Sequence, residues 1–155
     1  AIALLEARGF TKEDFARSHP GGQLGRRLLL RIADIMHSGD AIPKVTEDTL
    51  LTQAILEMTR KSLGMTSIVD NDNHLLGIYT DGDLRRTLDQ GLDIRQTTIG
   101  KVMTRHCTTV NENMLAAETL QLMEKLKINS FLVTNEDNQV TGAFNFIDLL
   151  RAGVT

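Results

Sequence analysis

Leu75-Leu76-Gly77-Ile78-Tyr79-Thr80-Asp81-Gly82-Asp83-Leu84-Arg85-Arg86 runs from apolar residues through a hydroxyl to a carboxylate-glycine-carboxylate corner and two arginines. An apolar run that stops at such a corner predicts a strand, a turn and the first turn of a helix. A strand-to-helix junction gathers backbone N–H groups and the positive end of the helix dipole at one point, where a phosphate is readily held. Thr80 stands where it can donate to that phosphate, and Asp83 is a good acceptor for a pair of sugar hydroxyls. The plainer alternative has Asp81 capping the helix and Arg85 and Arg86 in solvent.

The stretch occurs twice. Shifted by 65 residues, Val45 meets Val110, and the register then holds without a gap to the end of the chain. Ala54 falls on Thr119, Ile55 on Leu120, Met58 on Met123, Leu63 on Ile128 and Ile68 on Val133. Asp72 falls on Asp137, Gly77 on Gly142, Asp83 on Asp148, Leu84 on Leu149 and Arg86 on Arg151. Upstream, Ile35-Met36 matches Val102-Met103 once two extra residues are allowed in the first copy. A register this long is an internal repeat.

Each copy predicts the same elements. A short helix (residues 31–36; 99–103) leads to an extended piece ending at Val45 or Val110. An amphipathic helix follows, with Leu51, Ala54, Ile55 and Met58 spaced i, i+3, i+4, i+7, as are Ala116, Thr119, Leu120 and Met123. Thr46 and Asn111 are the expected caps. A strand (residues 66–69; 131–133), a polar turn (70–74; 135–139), a second strand (75–79; 140–144) and a last short helix complete the copy. The fold class is mixed α/β (α+β), β-α-β-β-α twice, with pseudo-twofold symmetry. One copy of about 60 residues is marginal alone, so the two are expected to pack sheet to sheet.

Composition narrows the function classes. In 155 residues with a net charge of −3 there is no basic excess of the kind a general nucleic-acid binder shows. Hydrophobic residues make up 41 %, enough for a packed core, and few aromatics with no Trp suggest a core of Leu, Ile, Val and Met. Cys107 is the only cysteine, which excludes an internal disulfide and a cysteine-cluster zinc site and fits a reducing cytoplasm. No apolar stretch approaches the roughly 18 residues of a membrane span. The chain opens at Ala1 without a methionine, in a helix-like Ala-Ile-Ala-Leu-Leu-Glu-Ala, and reads as a piece of a longer protein.

Before the repeats, residues 1–8 read as a helix end closed by Gly9, and Thr11 as the cap of a short helix over residues 12–17. Ser18-His19-Pro20-Gly21-Gly22 breaks regular structure, and a basic tether follows it over residues 23–30.

The tandem β-α-β-β-α pattern with Gly77-Ile78-Tyr79-Thr80-Asp81-Gly82-Asp83-Leu84 resembles a pair of CBS (cystathionine-β-synthase) domains, a regulatory module. The resemblance implies that Thr80 meets a ligand phosphate and Asp83 a ribose, with Asp81, Arg85 and Arg86 beside them. It also implies ligand contacts from Ile42, Pro43, Lys44, Met65 and Thr66, and from Thr108, Thr109, Asn129 and Ser130 in the other copy. That copy keeps Asp148 but has Asn145 in place of the hydroxyl. The segment Gly9-Phe10, Ser18-His19-Pro20-Gly21-Gly22 and Leu24-Gly25-Arg26-Arg27-Leu28-Leu29, with Asp34-Ile35-Met36-His37, resembles the junction in D-arabinose-5-phosphate isomerases.

In that family a sugar isomerase domain precedes the CBS pair. The implied division is residues 1–30 for the end of the isomerase domain and linker, 31–92 for the first CBS domain and 93–155 for the second. The parent enzyme would interconvert D-ribulose 5-phosphate and D-arabinose 5-phosphate, on the route into Kdo and so into lipopolysaccharide or capsule. The implied effector is a nucleotide or nucleotide sugar, CMP-Kdo or an adenine nucleotide. A homodimer of CBS pairs within a tetrameric parent is implied too, with no nucleic acid, membrane or metal as partner.

Moving a proton between adjacent carbons through an enediol needs a base, and histidine titrates in the right range. His19 alone reads as a loop histidine; the resemblance places it among the catalytic residues of the full-length enzyme. The remaining catalytic groups would lie upstream, so this piece by itself is expected to be inactive.

Other candidates are weaker. Asp70-Asn71-Asp72-Asn73-His74 begins like a calcium loop, but Leu75 stands where glycine is required, and a hairpin turn is the reading preferred. His106 and Cys107 are adjacent and make a poor chelating pair. Arg26, Arg27 and Arg31 read as solvated, and Met36, Met58, Met103 and Met123 as core.

Overall fold

The first sheet orders β1 (Lys44–Val45), β2 (Met65–Val69) and β3 (Leu75–Thr80) side by side, β1 parallel and β3 antiparallel to β2. The second repeats it with β4 (Thr109–Val110), β5 (Ser130–Thr134) and β6 (Val140–Asn145). This computed structural model describes residues 29–154. The expectations for the helices, cap and tether over residues 1–28, His19 included, lie outside the described residues.

The registers agree residue for residue. Lys44 faces Ser67 as Thr109 faces Leu132, and Met65 faces Thr80 as Ser130 faces Asn145. Both hairpins carry an irregularity at the same place, between Ile68 and Val69 and between Val133 and Thr134. The central strand β2 is buried along its whole length, as a strand covered on both faces must be.

Among the described residues five helices accompany the sheets: α1 (Ile32–Ile35), α2 (Leu51–Lys61), α3 (Asp81–Asp89), α4 (Ala116–Leu126) and α5 (Phe146–Arg151). The expected caps of α2 and α4 are corrected. These helices begin after Leu50 and Leu115, which offer no side-chain cap. Their orphan N–H groups go to distant carbonyls instead: Leu51 N–H donates to Thr97 O at 2.8 Å and Ala116 N–H to Leu30 O at 2.8 Å. Thr46 spends its hydroxyl on Asp48 at 2.6 Å, and Asn111 Oδ1 accepts from Asn113 N–H at 2.9 Å, both in turns ahead of the helix. Each helix closes on a left-handed residue, Ser62 (φ 61°) and Lys127 (φ 56°).

The short helices before each first strand are shorter than expected and are exchanged between the copies. The first is Ile32–Ile35; the second is a single 3-10 turn over Ile99–Lys101. Ile32 is fully buried, and it sits with Val110, Met123, Phe131 and Phe144, in the core of the second copy. Its N–H donates to Met114 O and that of Ala33 to Glu112 O, both at 2.9 Å. Reciprocally, Ile99 and Met103 pack with Leu51, Ala54 and Tyr79 of the first copy. Burying an isoleucine is worth about 1.5–3 kcal/mol, so the packing joins what a cut between residues 92 and 93 would part.

A third cluster lies between the sheets. Ile42, Leu63, Met65, Val69 and Ile78 of the first copy meet Leu132, Val140 and Ala143 of the second, the face-to-face packing expected from the repeat. The hairpin turns clasp each other as well: Asn73 Nδ2 donates to Val140 O at 2.8 Å and Asn138 Nδ2 to Leu75 O at 3.2 Å.

Candidate functional site

The Thr80 junction is a capping box. Thr80, not Asp81, is the cap residue of α3: its hydroxyl accepts from Asp83 N–H at 3.2 Å, and Asp83 Oδ2 accepts from Thr80 N–H at 2.9 Å. Asp81 is the first helical residue, and its N–H donates to Gly64 O at 3.1 Å. Asp83 is buried, with three further donors at its edge: Thr80 Oγ1 at 3.1 Å, Arg86 at 2.5 Å and Thr104 Oγ1 at 3.4 Å. Below it, Thr87 Oγ1 donates to Asp83 O at 2.9 Å and lies 2.8 Å from the buried Tyr79 hydroxyl. Burial pushes the Tyr79 phenol upward. Asp83 is thus anchored, with the long Thr104 contact the easiest for a ligand hydroxyl to replace.

Around this box a cleft of about 820 Å³ opens between the two copies. Thr80, Asp81, Asp83, Arg85 and Arg86 line one side; Thr108, Asn129, Ser130 and Asn145 of the second copy line the other. The cleft is amphipathic. Leu126, Ile128 and Phe146 form an apolar wall, while Arg85, Arg86 and Lys127 give cationic groups. An anion at the α3 N-terminus would meet both helix dipole and arginine charge.

Ile42, Pro43, Lys44, Met65, Thr66 and Asp148 do not line this cleft. Met65 and Thr66 are fully buried. Pro43 O accepts from Ser67 N–H at 3.0 Å and from its hydroxyl at 2.6 Å. Lys44 gives its backbone N–H to Glu57 at 2.9 Å, and burial lowers its ammonium pKa, with the Lys61 charge adding to the effect. Burial alone would raise the Glu57 carboxyl, but the Lys44 N–H and the charges of Arg60 and Lys61 outweigh it, leaving it below the usual range. Thr109 instead lines a shallower cavity of about 510 Å³ with Leu75, Arg105 and Cys107. The partner of the Thr80 junction is therefore the segment before the second copy's first strand.

Sequence reasoning did not single out Thr104, Leu126, Lys127 or Phe146 as cleft residues. The repeat held a signal for two: residues 81 and 146 are register equivalents, and the Met36–Met103 match sets His37 on Thr104. Asp70, Asp72 and His74 have ligand atoms within 4.8 Å of one another, but Asp70 Oδ1 already accepts from the N–H groups of Asp72 and His74 at 2.9 Å. Those N–H bonds hold its carboxyl low, in the manner of a turn. Among the described residues no helix is long and apolar enough to cross a membrane.

Comparison with known proteins gives a consistent picture. A family model, CBS domain, matches residues 32–90 and 99–155. The chain is 60 % identical over 154 residues to arabinose 5-phosphate isomerase KdsD of Pseudomonas aeruginosa, covering 99 % of this chain and 47 % of that protein. With the KdsD of Escherichia coli K12 the identity is 54 % at the same coverage. The chain thus spans about half the length of these relatives. Among solved structures, an uncharacterized conserved protein of Pyrococcus horikoshii superposes with a TM-score of 0.72 at 26 % identity, over 83 % of this chain and 95 % of that one. The CBS domain pair of MJ0100, in complex with 5′-methylthioadenosine and S-adenosyl-L-methionine, gives 0.71 at 23 % identity over 79 % and 94 %. CBSX2 in complex with AMP gives 0.68 at 18 % identity over 81 % and 96 %.

Proposed function

The chain belongs to the CBS-domain family, and on that premise we propose that it is the regulatory, nucleotide-binding CBS pair of a D-arabinose 5-phosphate isomerase. The observation that carries the reading is the cleft itself: a hydroxyl and a buried carboxylate at one helix N-terminus, with two arginines farther along the same helix, facing an apolar wall across the repeat boundary. A nucleotide or nucleotide sugar has the matching parts, a phosphate for Thr80 and Arg86, ribose hydroxyls for Asp83 and a flat base for the wall. CMP-Kdo and adenine nucleotides are the candidates. The first would make the cleft a feedback sensor.

The parent enzyme, in this reading, interconverts D-ribulose 5-phosphate and D-arabinose 5-phosphate in the cytoplasm for Kdo and lipopolysaccharide or capsule, with His19 in its active site. The identity of 60 % to a KdsD across 99 % of this chain supports it. The pair would associate as a homodimer within a tetramer. Calorimetry of this chain with CMP-Kdo, AMP and ATP tests the binding: heat and a raised melting temperature with at least one are expected, and neither with any of them would sink the effector reading.

A second reading makes the pair a structural dimerisation module with a vestigial cleft. It is favoured by Asn145, which replaces the hydroxyl in the second copy. Replacing Asp83 by Ala in the full-length enzyme separates the two, because only the structural reading predicts unchanged regulation.

A further inference from the structure

The repeat makes every contact of the Thr80 junction comparable with its equivalent. Ile78 and Thr104 exchange two backbone hydrogen bonds of 2.9 Å, and Ala143 and His37 do the same at 3.0 and 2.8 Å. Each segment before a first strand therefore runs past the other copy's carboxylate. At the first carboxylate the passing side chain is a short one: Thr104 Oγ1 stays 3.4 Å from Asp83 Oδ1. At the second it is an imidazole: His37 Nε2 is 2.9 Å from Asp148 Oδ1, while Asp148 Oδ2 takes the Asn145 N–H. Asp83 and Thr104 line the open cleft; Asp148 and His37 do not.

A second difference acts in the same direction. The residues after Thr104, from His106 to Thr108, line the cleft. Their counterparts form a 3-10 turn at Gly39–Ala41, and the Lys61 ammonium donates to Asp40 O and, at 3.5 Å, to Ile42 O. The repeat equivalent of Lys61 is Leu126, which cannot tether a carbonyl and instead lines the open cleft.

We propose that His37 and Lys61 act as a built-in latch that fills and closes the second half-site, so that the chain takes one nucleotide-class ligand, at Asp83, rather than two. The imidazole closes on Asp148 Oδ1 from the other copy, whereas Asp83 Oδ1 is held by Arg86 of its own helix at 2.5 Å and meets the other copy only through the long Thr104 contact. The ammonium fixes the segment that would have to line the pocket. The proposal rests on the nucleotide reading for its ligand but not for its latch.

The test uses His37→Thr with Lys61→Leu, each the residue at the equivalent repeat position, with AMP as probe and amide hydrogen exchange as a ligand-free readout. Without ligand, exchange at Ala41 and Ile42 should rise by at least about tenfold in the double variant, with the amides of residues 105–108 unchanged. Equilibrium dialysis should give one AMP per wild-type chain and two per variant chain, and His37→Gln with Lys61 intact should stay at one. Two AMP in the wild type, or unchanged exchange in a variant that still melts cooperatively, would overturn the latch. If AMP binds neither protein, the nucleotide reading fails for this probe and exchange alone decides the latch. A variant that does not melt cooperatively is replaced by His37→Thr alone, judged by the same exchange.

Discussion

Gly77 and Gly142 are repeat equivalents, and alanine at each should have a different cost. A Cβ at Gly77 would lie 2.7 Å from Thr104 O and 2.9 Å from Met103 Sδ. A Cβ at Gly142 would run into the equivalent sulfur, Met36 Sδ, and lie 3.0 Å from Met36 Cγ, with no backbone atom among its nearest neighbours. Methionine swings aside at low cost. The Thr104 carbonyl cannot, because it accepts from Ile78 N–H at 2.9 Å and Thr104 N–H donates back to Ile78 O. Overpacking against fixed atoms costs about 1–3 kcal/mol, and loss of glycine's unfolded-state freedom returns about 0.4–1 kcal/mol. Gly77→Ala should therefore lose up to about 2.6 kcal/mol, and more than Gly142→Ala, where only a side chain has to move and the loss is about 0–1 kcal/mol. At about 4 °C of melting temperature per kcal/mol for a domain of this size, the two should be separable in urea and thermal unfolding. Equal losses, or a larger loss at Gly142, would refute the inference that the hydrogen-bonded Thr104 carbonyl yields less readily than the Met36 side chain.

Two other outcomes follow from the packing and the charges. Ile32→Ala should cost about 2–5 kcal/mol and loosen the second copy first, read as faster exchange at Phe131 and Phe144 than at Ile68 and Tyr79; a chain of residues 99–155 alone, lacking Ile32, should show no cooperative melt by circular dichroism. Glu57 has a folded-state pKa below its ordinary 4.5, so the unfolded chain takes its proton first. Its stabilisation is present above about 4.5 and is lost as pH falls through the folded value. Glu57→Gln should accordingly flatten the decline of the urea midpoint below that pH, and a parallel decline in both proteins would contradict the assignment.

What the sequence made legible follows from distance along the chain. The 65-residue register placed the six strands of the described residues, because Val45 and Val110, Gly77 and Gly142 report local alternation repeated twice. The caps failed because α2 and α4 take their first acceptors from Thr97 and Leu30, residues far off in sequence that no local pattern reveals. The same distance hid the exchange of Ile32 and Ile99 between copies. For the site, Thr80, Asp83 and Arg86 were visible as a motif, since the capping box lies within one helical turn. Of their partners across the cleft, Thr108, Asn129, Ser130 and Asn145 were reached through the family resemblance, whereas Thr104, which contacts Asp83 from 21 residues away, carried no local signal. His37 carried no mark of its own beyond its place on Thr104 in the register.

The affinity of the ligand found by calorimetry should fall at least about tenfold with Asp83→Asn, which keeps the side chain's shape but removes the charge that pairs with Arg86 and, in the proposed complex, would accept the sugar hydroxyls. Asp148→Asn, the same change at the equivalent position, should leave the affinity within about twofold. Equal losses in the two variants, or a loss confined to Asp148→Asn, would contradict the placement of the ligand in the Asp83 cleft.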